Sequence, residues 1–209
     1  YVITRLILDS INRSSALDLR GFYWARLRRI YPGFLFMLFS TIIFIGVWAP
    51  EAVSRFLKDL PYALTGTMNW SLVARHQDYF EAIGRPPLLQ HTWSLAVELQ
   101  FYLIWPLILY FVWRRFGKKS VRRAAVMISL FSGLALLVFS INADVATAGR
   151  ISHVYFGTDT HSIGLFLGSA LAVSWVPRNL TPNISQRAQD FIDGIGIFGF
   201  LGAILCFLY

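Results

Sequence analysis

Long apolar runs without charge are the feature that most constrains this chain. Residues 30–49 and 124–143 contain no charged side chain, and residues 92–113 contain only Glu98. A helix of about twenty residues spans roughly 30 Å, which is the thickness of the hydrocarbon core of a bilayer. The runs are continuous rather than alternating, so they predict membrane-crossing helices and not the strands of a barrel.

Shorter segments extend the same pattern. Residues 162–176 form a short fourth run, residues 194–209 form an unfinished fifth, and residues 1–8 resemble the tail of another helix. Only 14% of the side chains are charged, against about 25% in soluble domains. We therefore predict an all-α, polytopic transmembrane helical bundle. The opening residues lack the features of a signal peptide, and both ends look cut, so we expect a fragment of a longer protein.

The distribution of basic residues predicts the topology. Thirteen lysines and arginines lie in three alternate connections between the runs, and five lie in the other two connections. Cytoplasmic loops are typically the basic ones, so the first run is expected to lead outward and the second inward. Residues 50–91 then begin and end outside, and they either lie along the interface or dip into the membrane and return. The net charge of +8 thus reports topology, and the predicted partner is the lipid bilayer rather than nucleic acid.

Glu98 is the one charged residue in the second apolar run, residues 92–113. It lies about 9 Å below the outer end of its helix, where an acid is costly and usually faces a partner or a cavity. Ser94, Glu98 and Tyr102 share one face at i, i+4 spacing, and His91 lies two turns above Glu98 on nearly the same face. Two interpretations stay open: a functional cavity wall, or a structural pair between Glu98 and an arginine of another helix.

Two further segments carry candidate site residues. In "ARLRRIYPGFLF", Arg26 and Arg29 share a helix face at the expected cytoplasmic mouth of the first full helix. Paired guanidinium groups match phosphate oxygens, although an ordinary positive-inside anchor is the alternative. In "VYFGTDTHSIG", Asp159 and His161 could form a polar pair at a cavity mouth, or belong to a cap and a solvated loop.

Other reactive residue types give no recognisable site. His76 and His153 have no convincing neighbour in the sequence. The single cysteine, Cys206, lies in an apolar run and cannot form an internal disulfide. Metal-binding, nucleotide-binding and hydrolase motifs are absent from the sequence, so no metal site is predicted.

Three stretches resemble the acyltransferase 3 family of membrane-bound O-acyltransferases. "YWARLRRIYP" is similar to the family's RxxR segment, and "YFEAIGRPPLLQHTWSLAVELQFYLIWPL" resembles its most recognisable block. "VYFGTDTHSIGLFLGSALA" resembles the version found in peptidoglycan O-acetyltransferases that carry a fused extracellular esterase-like domain. The resemblance covers nearly the whole chain in order. Leu99 replaces a second acid that often follows Glu98, and His161 replaces a usual arginine.

The resemblance implies that residues 1–209 are part of a roughly ten-helix acyltransferase 3 transmembrane domain, truncated at both ends. It implies an O-acyltransferase of the bacterial plasma membrane with several membrane passes. The donor would be a cytoplasmic acyl-CoA such as acetyl-CoA, and the acceptor a hydroxyl of a cell-surface glycan such as peptidoglycan. No permanently bound cofactor is expected.

The family's main catalytic histidine is expected in an earlier segment that this sequence lacks. The expected roles in this chain are catalysis for Glu98, His91, Ser94 and Tyr102, donor binding for Arg26 and Arg29, and a substrate-cavity position for Trp93, Asp159 and His161. The alternative is a polytopic transporter with Glu98 in the substrate path. A transporter typically shows internal repeats, and none is apparent in the sequence.

Overall fold

The computed structural model describes residues 1–14, 18–76, 87–142, 148–175 and 185–208. It divides into two compact units, Tyr1–Ser174 and Trp175–Tyr209. Across these described ranges the ordered elements are helices and no strand occurs. Three helices, Leu19–Trp48, Gln90–Phe116 and Lys119–Ile141, are long and apolar enough to cross a membrane. They coincide with the first three apolar runs, so the predicted all-α, polytopic fold is confirmed.

The first unit contains nine α-helices within the described ranges. They are α1 (Val2–Ser14), α2 (Leu19–Trp48), α3 (Val53–Leu64), α4 (Met68–Ala74), α5 (Trp93–Phe116), α6 (Lys118–Asn142), α7 (Ala148–Phe156), α8 (Thr158–His161) and α9 (Ile163–Ser174). Short 3-10 turns at Pro50–Ala52 and Gln90–Thr92 precede α3 and α5. The second unit contains α10 (Gln186–Leu208), which begins eight residues before the predicted fifth run.

Helix α2 is longer at its N-terminus than the apolar run that predicted it. Asp18 caps it, because its Oδ1 accepts a hydrogen bond from the backbone N–H of Gly21 at 2.9 Å. Pro32 lies inside the helix, where its missing N–H removes one backbone hydrogen bond. Arg26 and Arg29 are therefore helix residues rather than part of a cytoplasmic connection.

Helices α3 and α4 form a re-entrant hairpin, residues 53–74. Helix α3 runs back along α2, since the hydroxyl of Tyr31 donates to the carbonyl of Leu64 at 3.3 Å. Its twelve residues extend only about 18 Å, too short to cross a bilayer. The tip of the hairpin, residues 65–67, contains Gly66 with a φ of +67° and contacts Leu99. Of the two interpretations of residues 50–91, the described part fits the segment that dips in and returns; residues 77–86 lie outside it.

A buried ion pair closes this hairpin. Arg75 Nη1 lies 2.6 Å from Asp59 Oδ1, and the Asp59 side chain is only 3% exposed. The same guanidinium lies over the ring of Tyr62 at 5.2 Å. The pair therefore joins the end of α4 to the middle of α3 and keeps the hairpin closed.

The remaining helices of the first unit pack around α5. Ile7 and Ile11 of α1 are buried in one cluster with Trp105 of α5. Trp105 Nε1 donates to Thr4 Oγ1 at 2.8 Å, and the Thr4 hydroxyl donates to Ser169 of α9 at 2.9 Å. This buried chain of hydrogen bonds fixes α1 and α9 against the inner half of α5. Helix α5 is thereby held rigid on the side opposite the hairpin.

Candidate functional site

A cavity of about 270 Å³ lies between α2, the hairpin tip and α5. Its walls are mostly apolar, with a few polar groups that converge on it, as is typical of ligand sites. The lining residues are Tyr23, Arg26, Leu27, Ile30, Tyr31, Thr65, Gly66, Leu99, Gln100, Tyr102 and Leu103.

Glu98 is exposed and does not line this cavity, but it is hydrogen-bonded to Tyr102, which does. The phenol of Tyr102 donates a hydrogen bond to Glu98 Oε2 at 3.1 Å, one turn apart on α5. The predicted shared face is therefore confirmed for these two residues. In the described ranges no arginine lies within ion-pair distance of Glu98, so the alternative of a direct structural salt bridge is not what the geometry shows.

Arg26 lies beside the same phenol. Its guanidinium packs over the ring of Phe22 at 5.3 Å, and its buried Nε has no hydrogen-bond partner among the described residues. Arg26 and Arg29 both lie close enough to Tyr102 to interact with it electrostatically. An unpartnered buried N–H that borders a cavity is available to an acceptor atom of a ligand.

The arginine pair lies level with the middle of α5. Tyr23 of α2 donates to the carbonyl of Leu103 at 2.9 Å, and Arg26, one turn further along α2, lines the cavity together with Tyr102. The expected position of Arg26 and Arg29 at the cytoplasmic membrane surface stays a prediction.

A wider groove leads to this cavity from the beginning of α2. It has a volume of about 800 Å³ and is lined by Asp18, Arg20, Gly21, Tyr23, Trp24 and Leu27. Tyr23 and Leu27 line both spaces. Arg28 lies over the ring of Trp24 at 5.8 Å, at the edge of the groove. The basic-loop pattern places this end of α2 inside, so the groove would open toward the cytoplasm.

His91 and Ser94 do not line the cavity. The hydroxyl of Ser94 makes a long contact of 3.5 Å with the carbonyl of His91. Both side chains are exposed at the outer end of α5, and the His91 imidazole has no hydrogen bond to any described residue. Their catalytic role stays a prediction, and any such role would lie above the Glu98–Tyr102 pair.

Asp159 and His161 do not pair with each other. Both carboxylate oxygens of Asp159 lie at 3.0–3.1 Å from His153 Nε2, whereas His161 packs against Trp93 at 4.7 Å and Tyr155 at 5.8 Å between ring centroids. The predicted pair is wrong because residues two apart in a helical turn point to different sides. Burial against these rings lowers the pKa of His161, and a hydrogen bond with the Tyr155 backbone partly offsets the lowering.

Comparison with known proteins identifies the family. The family model described as an acyltransferase domain matches residues 1–209. The chain belongs to the acyltransferase 3 family. It is 36% identical over 210 residues to the O-acetyltransferase OatA of Staphylococcus aureus (strain NCTC 8325 / PS 47), covering all of this chain and 33% of that protein. It is 30% identical over 211 residues to the peptidoglycan O-acetyltransferase OatA of Listeria monocytogenes, covering all of this chain and 32% of that protein.

This acyltransferase 3 chain thus spans about a third of the length of the curated relatives it matches. No solved structure matches it. Family membership confirms the resemblance carried by the three sequence stretches. Among the described residues no group of three His, Cys, Asp or Glu side chains could hold a metal ion.

Two polar side chains, His153 and Gln100, were not predicted as site residues but form hydrogen bonds between helices in the structure. His153 had no neighbour in the sequence, yet it binds Asp159 across the α7–α8 turn. Gln100 is two residues from Glu98, so it lies on the other face of α5, where it contacts α4 and α8. A polar amide in an otherwise apolar run was the signal that could have identified Gln100.

Proposed function

We propose that this chain belongs to the membrane part of an O-acyltransferase. The enzyme would move an acetyl or similar acyl group from a cytoplasmic acyl-CoA to a hydroxyl of an extracytoplasmic cell-wall glycan. It would be a multi-pass protein of the bacterial plasma membrane. The observation that carries this proposal is the meeting of Arg26 with Tyr102, the hydrogen-bond partner of Glu98, in one cavity. The names of the relatives support peptidoglycan as the acceptor.

The shape of the inner groove supports a large donor that enters from the cytoplasm. Arg20 and Arg28 place positive charge at the wide groove, and Trp24 offers an exposed ring for stacking. Asp18 opposes that charge, although its carboxylate is occupied by the helix cap. The phosphate-bearing end of an acyl-CoA would bind in the groove, and its thioester end would extend past Tyr23 toward Arg26.

The residues in the cavity suit the thioester end. Acyl transfer requires attack of a hydroxyl oxygen on the thioester carbonyl, loss of a proton from that hydroxyl, and departure of the thiolate sulfur. Arg26 would donate a hydrogen bond to the carbonyl oxygen as negative charge develops on it. The Glu98 carboxylate, which already accepts from Tyr102, would hold a proton or balance the charge of the arginines. The resemblance assigns the main general base to a histidine outside this sequence.

The experiment uses the full-length protein in membrane vesicles with labelled acetyl-CoA inside and glycan acceptor outside. Loss of a hydrogen bond to a charged donor costs about 1.5–3 kcal/mol, so Arg26→Ala should lower the kcat/KM for the donor by about 10- to 150-fold. Arg115→Ala is the matched control, because Arg115 lies in the last turn of α5 and lines neither the cavity nor the groove. Glu98→Gln should lower kcat more than it changes KM.

Three results would count against the proposal. Unchanged acyl transfer with Glu98→Gln would remove that residue from the chemistry. Equal effects of Arg26→Ala and Arg115→Ala would remove the cavity as the donor site. Solute flux without labelled glycan would support the transporter instead.

A further inference from the structure

Gln100 is the side chain that joins the hairpin tip to α5. Its Nε2 donates to the carbonyl of Gly66 at 2.8 Å and to Asn69 Oδ1 at 2.9 Å. Its Oε1 accepts from Trp70 Nε1 at 3.2 Å and from the hydroxyl of Thr158 at 2.6 Å. Two donors and two acceptor positions are the full hydrogen-bonding capacity of a glutamine amide. Helices α4, α5 and α8 therefore meet at one completely satisfied group.

The direction of each bond in this network is fixed by two backbone carbonyls. The carbonyls of Gly66 and Phe156 can only accept, so the amide nitrogens of Gln100 and Asn69 must face them. Asn69 Nδ2 also donates to Thr158 Oγ1 at 2.8 Å, which directs the Thr158 proton toward Gln100 Oε1. Neither amide can rotate by 180° without placing two acceptors against each other. The network thus admits one arrangement of its side chains.

The Gly66 carbonyl needs a hydrogen-bond donor, because an unsatisfied backbone carbonyl within the membrane is unfavourable. The backbone N–H groups of Gly66 and Thr67 bond to the carbonyls of Ala63 and Tyr62 within the hairpin. Gln100 is the partner that the described residues supply to the Gly66 carbonyl. Non-helical backbone at membrane depth is tolerated only where protein or enclosed water satisfies it, and an orphaned buried carbonyl costs about 1–3 kcal/mol. Gln100 is therefore what allows the chain to turn at this depth.

The same turn is a wall of the candidate active site. Thr65 and Gly66 line one side of the 270 Å³ cavity, and Leu99 and Tyr102 of α5 line the other. A Cβ on Gly66 would lie 3.2 Å from Leu99 Cδ1, so the tip and α5 are already in contact. Movement of the tip would consequently change the width of the cavity that contains Arg26.

We propose that Gln100 is a positioning residue that sets the shape of this cavity by holding the hairpin tip against α5. Although Gln100 also lines the cavity, its amide groups are fully used within the protein, so it acts through the Gly66 carbonyl. The kinetic consequence rests on the proposed function, because it requires that the cavity binds the acyl donor. The structural consequence, a tip that loosens when Gln100 is replaced, stands independently of it.

The test compares three variants of the full-length protein in detergent. Gln100→Met keeps the side-chain length and removes all four hydrogen bonds. Gln100→Glu keeps an acceptor oxygen for Trp70 and Thr158 and, when ionised, replaces the two donated bonds by repulsion from the Gly66 carbonyl and Asn69 Oδ1, so it serves if the methionine variant does not fold. Trp70→Phe is the matched control, because it removes one accepted bond and leaves the bond to Gly66 intact.

The primary readout is hydrogen–deuterium exchange of the amides in residues 60–70, with the donor KM and kcat as the second readout. Loss of about 1–3 kcal/mol at the tip should accelerate exchange of the Gly66 and Thr67 amides by about 5- to 150-fold in both Gln100 variants. Trp70→Phe should leave their exchange within about twofold of wild type. The donor KM should rise in the Gln100 variants with a smaller change in kcat.

The outcomes separate the two claims. Unchanged exchange at the tip in both Gln100 variants overturns the positioning role, and so does equal acceleration in Trp70→Phe, which would indicate general loosening. Faster exchange with an unchanged donor KM overturns the link from tip to cavity. Absence of acyl transfer in the wild-type protein contradicts the proposed function while leaving the exchange result to decide the role of Gln100.

Discussion

Gly157 gives the sharpest structural prediction, because an added methyl group there has no space. Its φ is −60°, which alanine adopts readily, so Gly157→Ala introduces no backbone strain. The new Cβ would instead lie 2.6 Å from the carbonyl oxygen of His153, and equally close to the side chains of His153 and Asp159. The His153 carbonyl cannot easily retreat, since it accepts hydrogen bonds from the Gly157 N–H at 2.7 Å and from Thr160 at 3.2 Å.

The cost of Gly157→Ala follows from what must move. Overpacking of a filled site costs about 1–3 kcal/mol. Separating His153 from Asp159 adds about 0.5–1.5 kcal/mol for a lost hydrogen bond of a partly exposed pair. The total of about 1.5–4.5 kcal/mol corresponds to a fall in Tm of about 3–18 °C for a chain of 150–250 residues.

Thermal unfolding of the detergent-solubilised protein, followed by circular dichroism, measures this difference. Gly164→Ala is the control, because no atom lies within 4 Å of a Cβ built at that position in α9 and alanine is favoured over glycine in a helix by up to about 1 kcal/mol. The two identical substitutions should therefore shift Tm in opposite directions. A Tm for Gly157→Ala equal to or above that of wild type would refute the close packing of the α7–α8 turn.

Two further predictions concern charge. Burial lowers the pKa of His161. The neutral imidazole should therefore stabilise the fold fully above the usual histidine pKa of about 6.5, and this stability should be lost as the pH falls through the lowered pKa. Between pH 7.5 and pH 5 the Tm should fall less in His161→Gln than in wild type, and equal slopes of Tm against pH would contradict the buried, neutral state of His161. Arg75→Met removes the partner of the buried Asp59 carboxylate; because the Arg75 side chain is itself 38% exposed, the loss should be about 1.5–3 kcal/mol. Arg75→Met combined with Asp59→Leu should recover most of that loss in chemical unfolding. An unaffected single variant would contradict the ion pair.

The sequence predicted the helices better than their boundaries. Residues 30–49 contain no charge and were recognisable as a membrane span, but the helix that contains them begins at Leu19. The reason is that apolarity reports where a helix meets lipid and does not report where its backbone hydrogen bonds begin. The signal for the true beginning was Asp18, which caps the helix three residues before Gly21. A search for caps beyond the apolar run would have placed the arginines inside the helix.

Only contacts between residues close in sequence could be predicted for the candidate site. Glu98 and Tyr102 are one turn apart, so helix geometry alone places them together, and the structure joins them at 3.1 Å. The partners of Gln100 are more than thirty residues away in the chain, on α4 and α8. Such contacts depend on how the re-entrant hairpin folds back, which no spacing rule in the sequence specifies.

The Nε of Arg26 is also the best physical argument that the cavity has a function. A buried N–H without an acceptor is costly, and no described residue supplies an acceptor to this Nε. If the site served only for stability, an apolar residue of similar volume would be at least as favourable. The unsatisfied donor instead requires an acceptor that the described residues do not provide. A ligand with a polarised carbonyl oxygen, entering from the groove that shares Tyr23 and Leu27 with the cavity, would satisfy it. The same ligand would lie beside the Glu98–Tyr102 pair.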